Sequence, residues 1–233
     1  DDMKEDAATI IKQIKSAYKS NYGDNYKDSL NQALTSAGYK NLSEYRQKMI
    51  KQIQYANFLL DYIDDHFDDV FNDYYQQCAP KYVSLIKISV SDTSSPTDDE
   101  TSKLNEVKEL ISNTDKSFGD IAQDYSNDST SSKKGSLGIV DSKDTSGIAN
   151  SYGKDVFNAI EALSEGQVSD VITGDDGYYF VKVTSTDKKT LKKELKKTDI
   201  DSPLLAYDDY LQYVVYNSYK INYKDKDIKK IKK

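Results

Sequence analysis

Hydrophobic periodicity first changes along this chain at Ala79-Pro80. Up to residue 78 apolar side chains recur every three or four positions, and just beyond it they recur every two. A repeat near 3.6 buries one face of a helix and a repeat of two buries one face of a strand. Pro80 enforces the change, because its ring clashes with a preceding helical turn and it has no N–H to donate. The sequence therefore reads as a helical segment followed by a mixed one, an α+β protein.

Three stripes mark the helical segment. Ile10, Ile14, Ala17 and Tyr18 form the first, closed by Gly23, and Tyr26, Leu30, Ala33, Leu34 and Ala37 the second, closed by Gly38. The third runs through Leu42, Tyr45, Met49, Ile53, Ala56, Leu60, Ile63, Phe67, Val70 and Tyr74, with Asn41 or Ser43 as its N-cap. Asp61, Asp64 and Asp65 could cap a new helix near residue 65, so one bent helix and two helices are both open.

Past Pro80, Val83–Val90 is β-rich, with Ile86, Ile88 and Val90 on one face. Helices follow around Leu104–Ile111 and from Phe118 to Tyr125, then a polar loop over 126–134 and a strand from Gly135 to Val140. After a loop over 141–151, a helix near 154–163 precedes two strands, Gln167–Thr173 and Tyr178–Val183, joined through Gly174-Asp175-Asp176-Gly177. The order is β-α-α-β-α-β-β over about 100 residues, enough for its own core. Ser202-Pro203 opens a last helix carrying Leu204, Tyr207, Leu211 and Val214. Its apolar face needs a partner. We expect a helical lobe made of residues 1–80 and 187–233, with 81–186 inserted as a separate domain.

Composition removes several chemistries. The 233 residues include one His, one Cys and no Trp. His66 alone cannot build a Ser-His-Asp or Cys-His pair, and with Cys78 it cannot complete a zinc site. No metal or other cofactor is expected. His66, beside Phe67 and four aspartates, reads as a surface residue, and Cys78 as a structural thiol. Net charge is −7 overall, and −8 over 81–186. That argues against nucleic acid as a partner, since phosphate neutralisation supplies most of such affinity. The Lys-rich end, residues 220–233, reads as a solvated tail. No apolar run is long enough to span a bilayer. Either a cytosolic protein or one trimmed of its targeting segment fits. Twenty tyrosines suit either a polar-edged helical core or a surface that holds unfolded chains.

Three ordered stretches carry a family likeness: Phe118–Asp128, Gly135-Ser136-Leu137-Gly138, and Ala162–Thr173 running on to Gly177–Val183. They resemble the parvulin family of peptidyl-prolyl cis/trans isomerases over residues 82–186. The flanks, with Tyr22-Gly23-Asp24 and Asn41–Gln54, are similar to the SurA- and PrsA-like chaperone lobes that bracket such a domain. The resemblance implies an extracytoplasmic foldase for secreted proteins, held at a Gram-positive membrane by a lipid upstream of Asp1. Its partners would be unfolded or partly folded secreted polypeptides, with a homodimer left open. The family's two strand histidines fall at Lys87 and Tyr179, and its loop Asp/Cys falls at Asp128. The substrate-pocket positions fall at Leu137, near Tyr152, and at Val156 or Phe157. These departures imply an isomerase activity that is weak or lost. The alternative is a non-catalytic holdase that uses the parvulin fold as a docking groove.

Overall fold

The structure, a computed structural model, describes residues 2–113, 115–195 and 202–206. Gly23 and Gly38 stop the first two stripes as read: α1 (Asp2–Tyr22) and α2 (Tyr26–Ser36) are joined by a 3-10 turn starting at Gly23. Gly38 takes a φ of +81°, which lets the Tyr39 and Gly38 N–H groups donate back to the Leu34 and Thr35 carbonyls. Asn41 caps α3 (Leu42–Asp65): its Oδ1 accepts the Glu44 N–H at 3.0 Å, while Glu44 accepts the Lys40 N–H at 2.7 Å. Ala7, Ile11 and Met49 form the centre of this helical core, and Leu30 and Leu34 are buried on α2. This compact unit ends at Asp65, and the second begins at His66.

The long third stripe is thus two helices. His66 leaves helical geometry (φ −123°, ψ 26°), and α4 (Phe67–Cys78) starts afresh. It ends in a left-handed Ala79 before Pro80. The compact units part before α4, not at the change of period. Within the second unit α4 is fastened by Tyr74, wholly buried, whose phenol donates to the buried Asp141 carboxylate at 2.7 Å. Thr145 and the Lys143 N–H also donate to Asp141. Burial, then the Asp141 charge, pushes the Tyr74 phenol far above its ordinary range. Burial likewise pushes the Cys78 thiol up to about 11, leaving it protonated and unreactive at neutral pH.

The sheet has the order β2-β1-β4-β3, all antiparallel. Its strands are β1 (Lys81–Ser89), β2 (Ser136–Val140), β3 (Ile172–Thr173) and β4 (Gly177–Ser185). Central β1 is buried on both faces. Ile86 and Ile88 pack with α5 (Asp98–Asn113) and α6 (Phe118–Tyr125). Val83 and Leu85 pack with α7 (Ile148–Ser151) and α8 (Lys154–Ala162). The Lys81 ammonium closes α8 by donating to the Ile160, Glu161 and Leu163 carbonyls at 2.7–3.0 Å, a cation at a helix C-terminus.

Three elements differ from the reading of the sequence. The strand expected over Gln167–Thr173 is reduced to Ile172–Thr173 and a single bridge from Val168 to Lys182, because Ser169 takes the Val181 N–H on its side-chain oxygen at 3.0 Å. Helix α7 lies inside the expected loop, nucleated by the Asp144 carboxylate on the Ile148 and Ala149 N–H groups. Helix α9 (Lys188–Leu195) follows β4, capped by Asp187 on Thr190. It meets α4 through Lys192 and Asp68 at 2.8 Å. The last helix starts at Pro203 as expected, and α10 (Pro203–Ala206), with Leu204 fully buried, also contacts α4. Its other apolar positions (Tyr207, Leu211 and Val214) and the Lys-rich end lie outside the described residues.

The buried Tyr74–Asp141 bond gives a first prediction. Tyr74→Phe removes a donor from a buried carboxylate and should lower unfolding stability by about 1.5–3 kcal/mol. Tyr75→Phe loses a half-buried bond to the Thr186 carbonyl and should cost about 0.5–1.5 kcal/mol. Urea unfolding of both variants reads the difference; equal losses would show that burial of Asp141 adds nothing.

Candidate functional site

The β1–β4 register sets Lys87 directly opposite Tyr179. Both lie on the face of Val83 and Leu85, two and four positions along β1, toward α8. The turn that enters β4 brings Asp176 against them. Its carboxylate accepts the Lys87 ammonium on one oxygen and the Tyr179 phenol on the other. Gly174 makes the turn fit: a Cβ there would sit 2.6 Å from the Tyr179 ring. The Lys87 ammonium also lies 5.6 Å from the centre of that ring.

Asp128 arrives from the other side. The Asn127 N–H donates to the Lys87 carbonyl at 2.8 Å and the Lys87 N–H to Ser126 Oγ at 3.0 Å, laying this loop along β1. Asp128 Oδ1 then accepts the Thr130 N–H and hydroxyl at 2.8 and 2.6 Å, capping a 3-10 turn over Ser129–Lys133. The same oxygen accepts a long 3.5 Å bond from the Tyr152 phenol, and the Tyr152 ring stands edge-on to Tyr179 at 6.2 Å. A continuous path therefore runs from Asp128 through Tyr152, Tyr179 and Asp176 to Lys87.

Beside it opens a cleft of about 580 Å³, lined by residues 149–156 and 172–176 with Tyr179. Of the expected substrate-pocket residues, Tyr152 and Val156 line it. The Val156 side chain is only 1% exposed and belongs to the core beneath. Leu137 and Phe157 are half-buried against the same core, outside the cleft lining. Tyr179, at 3% exposed, is a core residue with a bonded tip rather than a solvent-facing one. Asp176 was not singled out in the sequence. The one signal was its place in the Gly-Asp-Asp-Gly turn, three residues before Tyr179.

Protonation follows from these contacts. Burial first, then the Asp128 charge, pushes the Tyr152 phenol up to about 12. Burial and the bond to Asp176 push Tyr179 higher still. The Lys87 ammonium, followed by the Tyr179 phenol, holds Asp176 below the usual carboxylate range. At neutral pH the site offers two neutral phenol donors, an ionised Asp176 and an ammonium whose charge is matched. His66 lies exposed at the start of α4, away from the cleft. Among the described residues no cluster of His, Cys, Asp and Glu could hold a metal. The arrangement suits polar support of a bound amide without covalent chemistry.

The family model described as "Rotamase: PPIC-type PPIASE domain" matches residues 85–185. The Staphylococcus epidermidis relative described as "Foldase protein PrsA" is 33% identical over 135 residues, 55% of this chain and 39% of its own length. The Staphylococcus aureus foldase protein PrsA is 32% identical over 136 residues, 55% and 40% of the two lengths. The chain thus matches about two fifths of these curated relatives. Among solved structures, foldase protein PrsA from Streptococcus pneumoniae aligns with TM-score 0.43 at 20% identity, over 96% of this chain and 78% of that one. No helix among the described residues is long and apolar enough to cross a membrane.

The Tyr152 phenol should titrate near 12 by ring-carbon NMR. Because its folded value lies above the ordinary value of about 10, the stability it contributes is complete below that pH. It is lost as pH rises through the folded value. Asp128→Asn removes the nearby negative charge and should bring the midpoint down, while leaving the part caused by burial. An unchanged midpoint would separate Asp128 from the site.

Proposed function

For this PrsA-like chain with a PPIC-type PPIase domain over residues 85–185, we propose a foldase for exported polypeptides whose prolyl isomerase site is weakened. Rotation about an Xaa-Pro bond crosses about 18–20 kcal/mol and takes about 10–100 s unaided. No bond need be broken. A protein speeds rotation by binding the twisted amide better than the planar one.

The observation that carries the reading is the linked path from Asp128 to Lys87 at the mouth of the cleft. Tyr152 is the available donor, since its 3.5 Å bond to Asp128 is long and easily exchanged for a substrate carbonyl. Asp128 orients the Tyr152 tip, and the half-buried Tyr152 ring is the open part of a wall backed by the buried Val156 and Tyr179. Leu137 and Phe157 support that wall from the core. Weakening follows from the replacements. The Tyr179 proton is committed to Asp176, and the Lys87 charge is matched there as well. A compact ammonium also differs in shape and hydration from an imidazole.

The same reading takes unfolded or partly folded secreted chains as clients and places the protein outside the membrane, held by a lipid. It keeps the lobe of 1–80 with 187–233 around an inserted 81–186. α9 and α10 both meet α4, the part of the 1–80 segment that shares their compact unit with the sheet. A pure holdase is the second reading, favoured by the committed Tyr179 proton.

A protease-coupled or NMR-exchange isomerase assay tests this. Turnover should be detectable but well below that of parvulins with two histidines. Asp128→Ala should lower it about tenfold, the equivalent of about 1.4 kcal/mol of transition-state support. Turnover equal to that of active parvulins would overturn the weakened site. Suppression of client aggregation with no isomerisation would favour the holdase.

A further inference from the structure

Lys87 alone would make the cleft attractive to anions, since a cation stands where the family resemblance places a histidine. The structure reverses that sign. The Lys87 side chain is only 18% exposed and its ammonium is bonded to Asp176, so its field is largely cancelled at the cleft. What remains is uneven. Asp155 and Asp175 stand exposed on two segments of the lining, and Asp128 borders it through Tyr152. Lys154 is the one cation of the lining, and it too is exposed. Counting Asp128, Asp155, Asp175 and Asp176 against Lys87 and Lys154, the rim carries a formal −2. The cleft's shape defines the site; these carboxylates decide what it accepts.

Resting on the isomerase reading above, we propose that the cleft selects Xaa-Pro segments flanked by Lys or Arg and disfavours those flanked by Glu, Asp or phosphoserine. A cleft lined by one sign of charge concentrates the field, and a peptide cation held within a few ångströms of a carboxylate gains where an anion loses. Asp176 is the residue that masks the central cation. It removes Lys87 from the balance, and replacing it would expose a cation at the centre of the site.

The test uses three tetrapeptides, Ala-Lys-Pro-Phe, Ala-Ala-Pro-Phe and Ala-Glu-Pro-Phe, with the full chain. Binding is read by NMR shift titration and isomerisation by exchange spectroscopy, at low and at 0.5 M salt. The Lys peptide should bind about fivefold to tenfold tighter than the Glu peptide at low salt, a ratio that 0.5 M salt reduces toward one. Asp155→Asn with Asp175→Asn should shrink the ratio. Asp176→Asn, which unmasks Lys87, should shift it toward the Glu peptide. Each ratio compares peptides on one variant, so a general loss of binding does not mimic the effect. Equal binding of all three, or tighter binding of the Glu peptide by the unaltered protein, overturns the preference while leaving the isomerase reading in place. If none of the three binds, both fall. If they bind in the expected order without isomerising, the preference stands and the catalytic reading falls.

Discussion

The pairing of β1 with β4 is the constraint on which the rest of the second unit depends. β1 is the central strand, buried on both faces, and a slip of one residue would turn Leu85 and Lys87 onto the side of Ile86 and Ile88. The register is held from both edges. Leu85 donates its N–H to the Gly135 carbonyl, and Gly135 lies so close that a Cβ there would meet the Leu85 carbonyl oxygen at 2.4 Å. With the register set, Lys87 faces Tyr179 and the turn carrying Asp176 closes over both. The candidate site follows from the same hydrogen-bond ladder that makes the sheet.

A second consequence concerns polar groups in low dielectric. Asp141 and the Tyr74 phenol are both buried, the phenol satisfied by the carboxylate and the carboxylate by the phenol together with Thr145 and the Lys143 N–H. That bond joins α4 to the loop after β2, so the helix before the proline belongs with the sheet that follows it. At the cleft the same rule gives a different result. Lys87 and Tyr179 are held by one carboxylate that is itself 63% exposed, so the pairing stands at the surface, where a substrate can meet it.

Much of the layout was legible from period and punctuation. The glycine stops, the Phe118–Tyr125 helix, the first strand and the helix ending near residue 162 stand where spacing puts them. Each depends on near neighbours alone. Asp128 and Tyr152 were named from the spacing of the resembling stretches, and the structure brings them within 3.5 Å of each other. Asp176 was not, because its role comes from Lys87, on a strand far away in sequence. Val156 and Phe157 could not be told apart, since choosing between them needs the rotation of α8 on the sheet. The split at His66 was left open for a similar reason: an apolar stripe runs unbroken through a junction whose backbone, not its pattern, leaves the helix.

By itself, then, the sequence determined the change from helix to strand at Pro80, the α+β class, and the single histidine that leaves no Ser-His-Asp or zinc chemistry. These are properties of local backbone chemistry and of which side chains exist. Only the tertiary structure decided that α4 sides with the sheet, that the Tyr179 tip is tied inward, and that Asp176 cancels Lys87. Those outcomes turn on which distant groups share a low-dielectric space, and hydrogen bonds and charges there are set by ångström distances that no spacing along the chain contains.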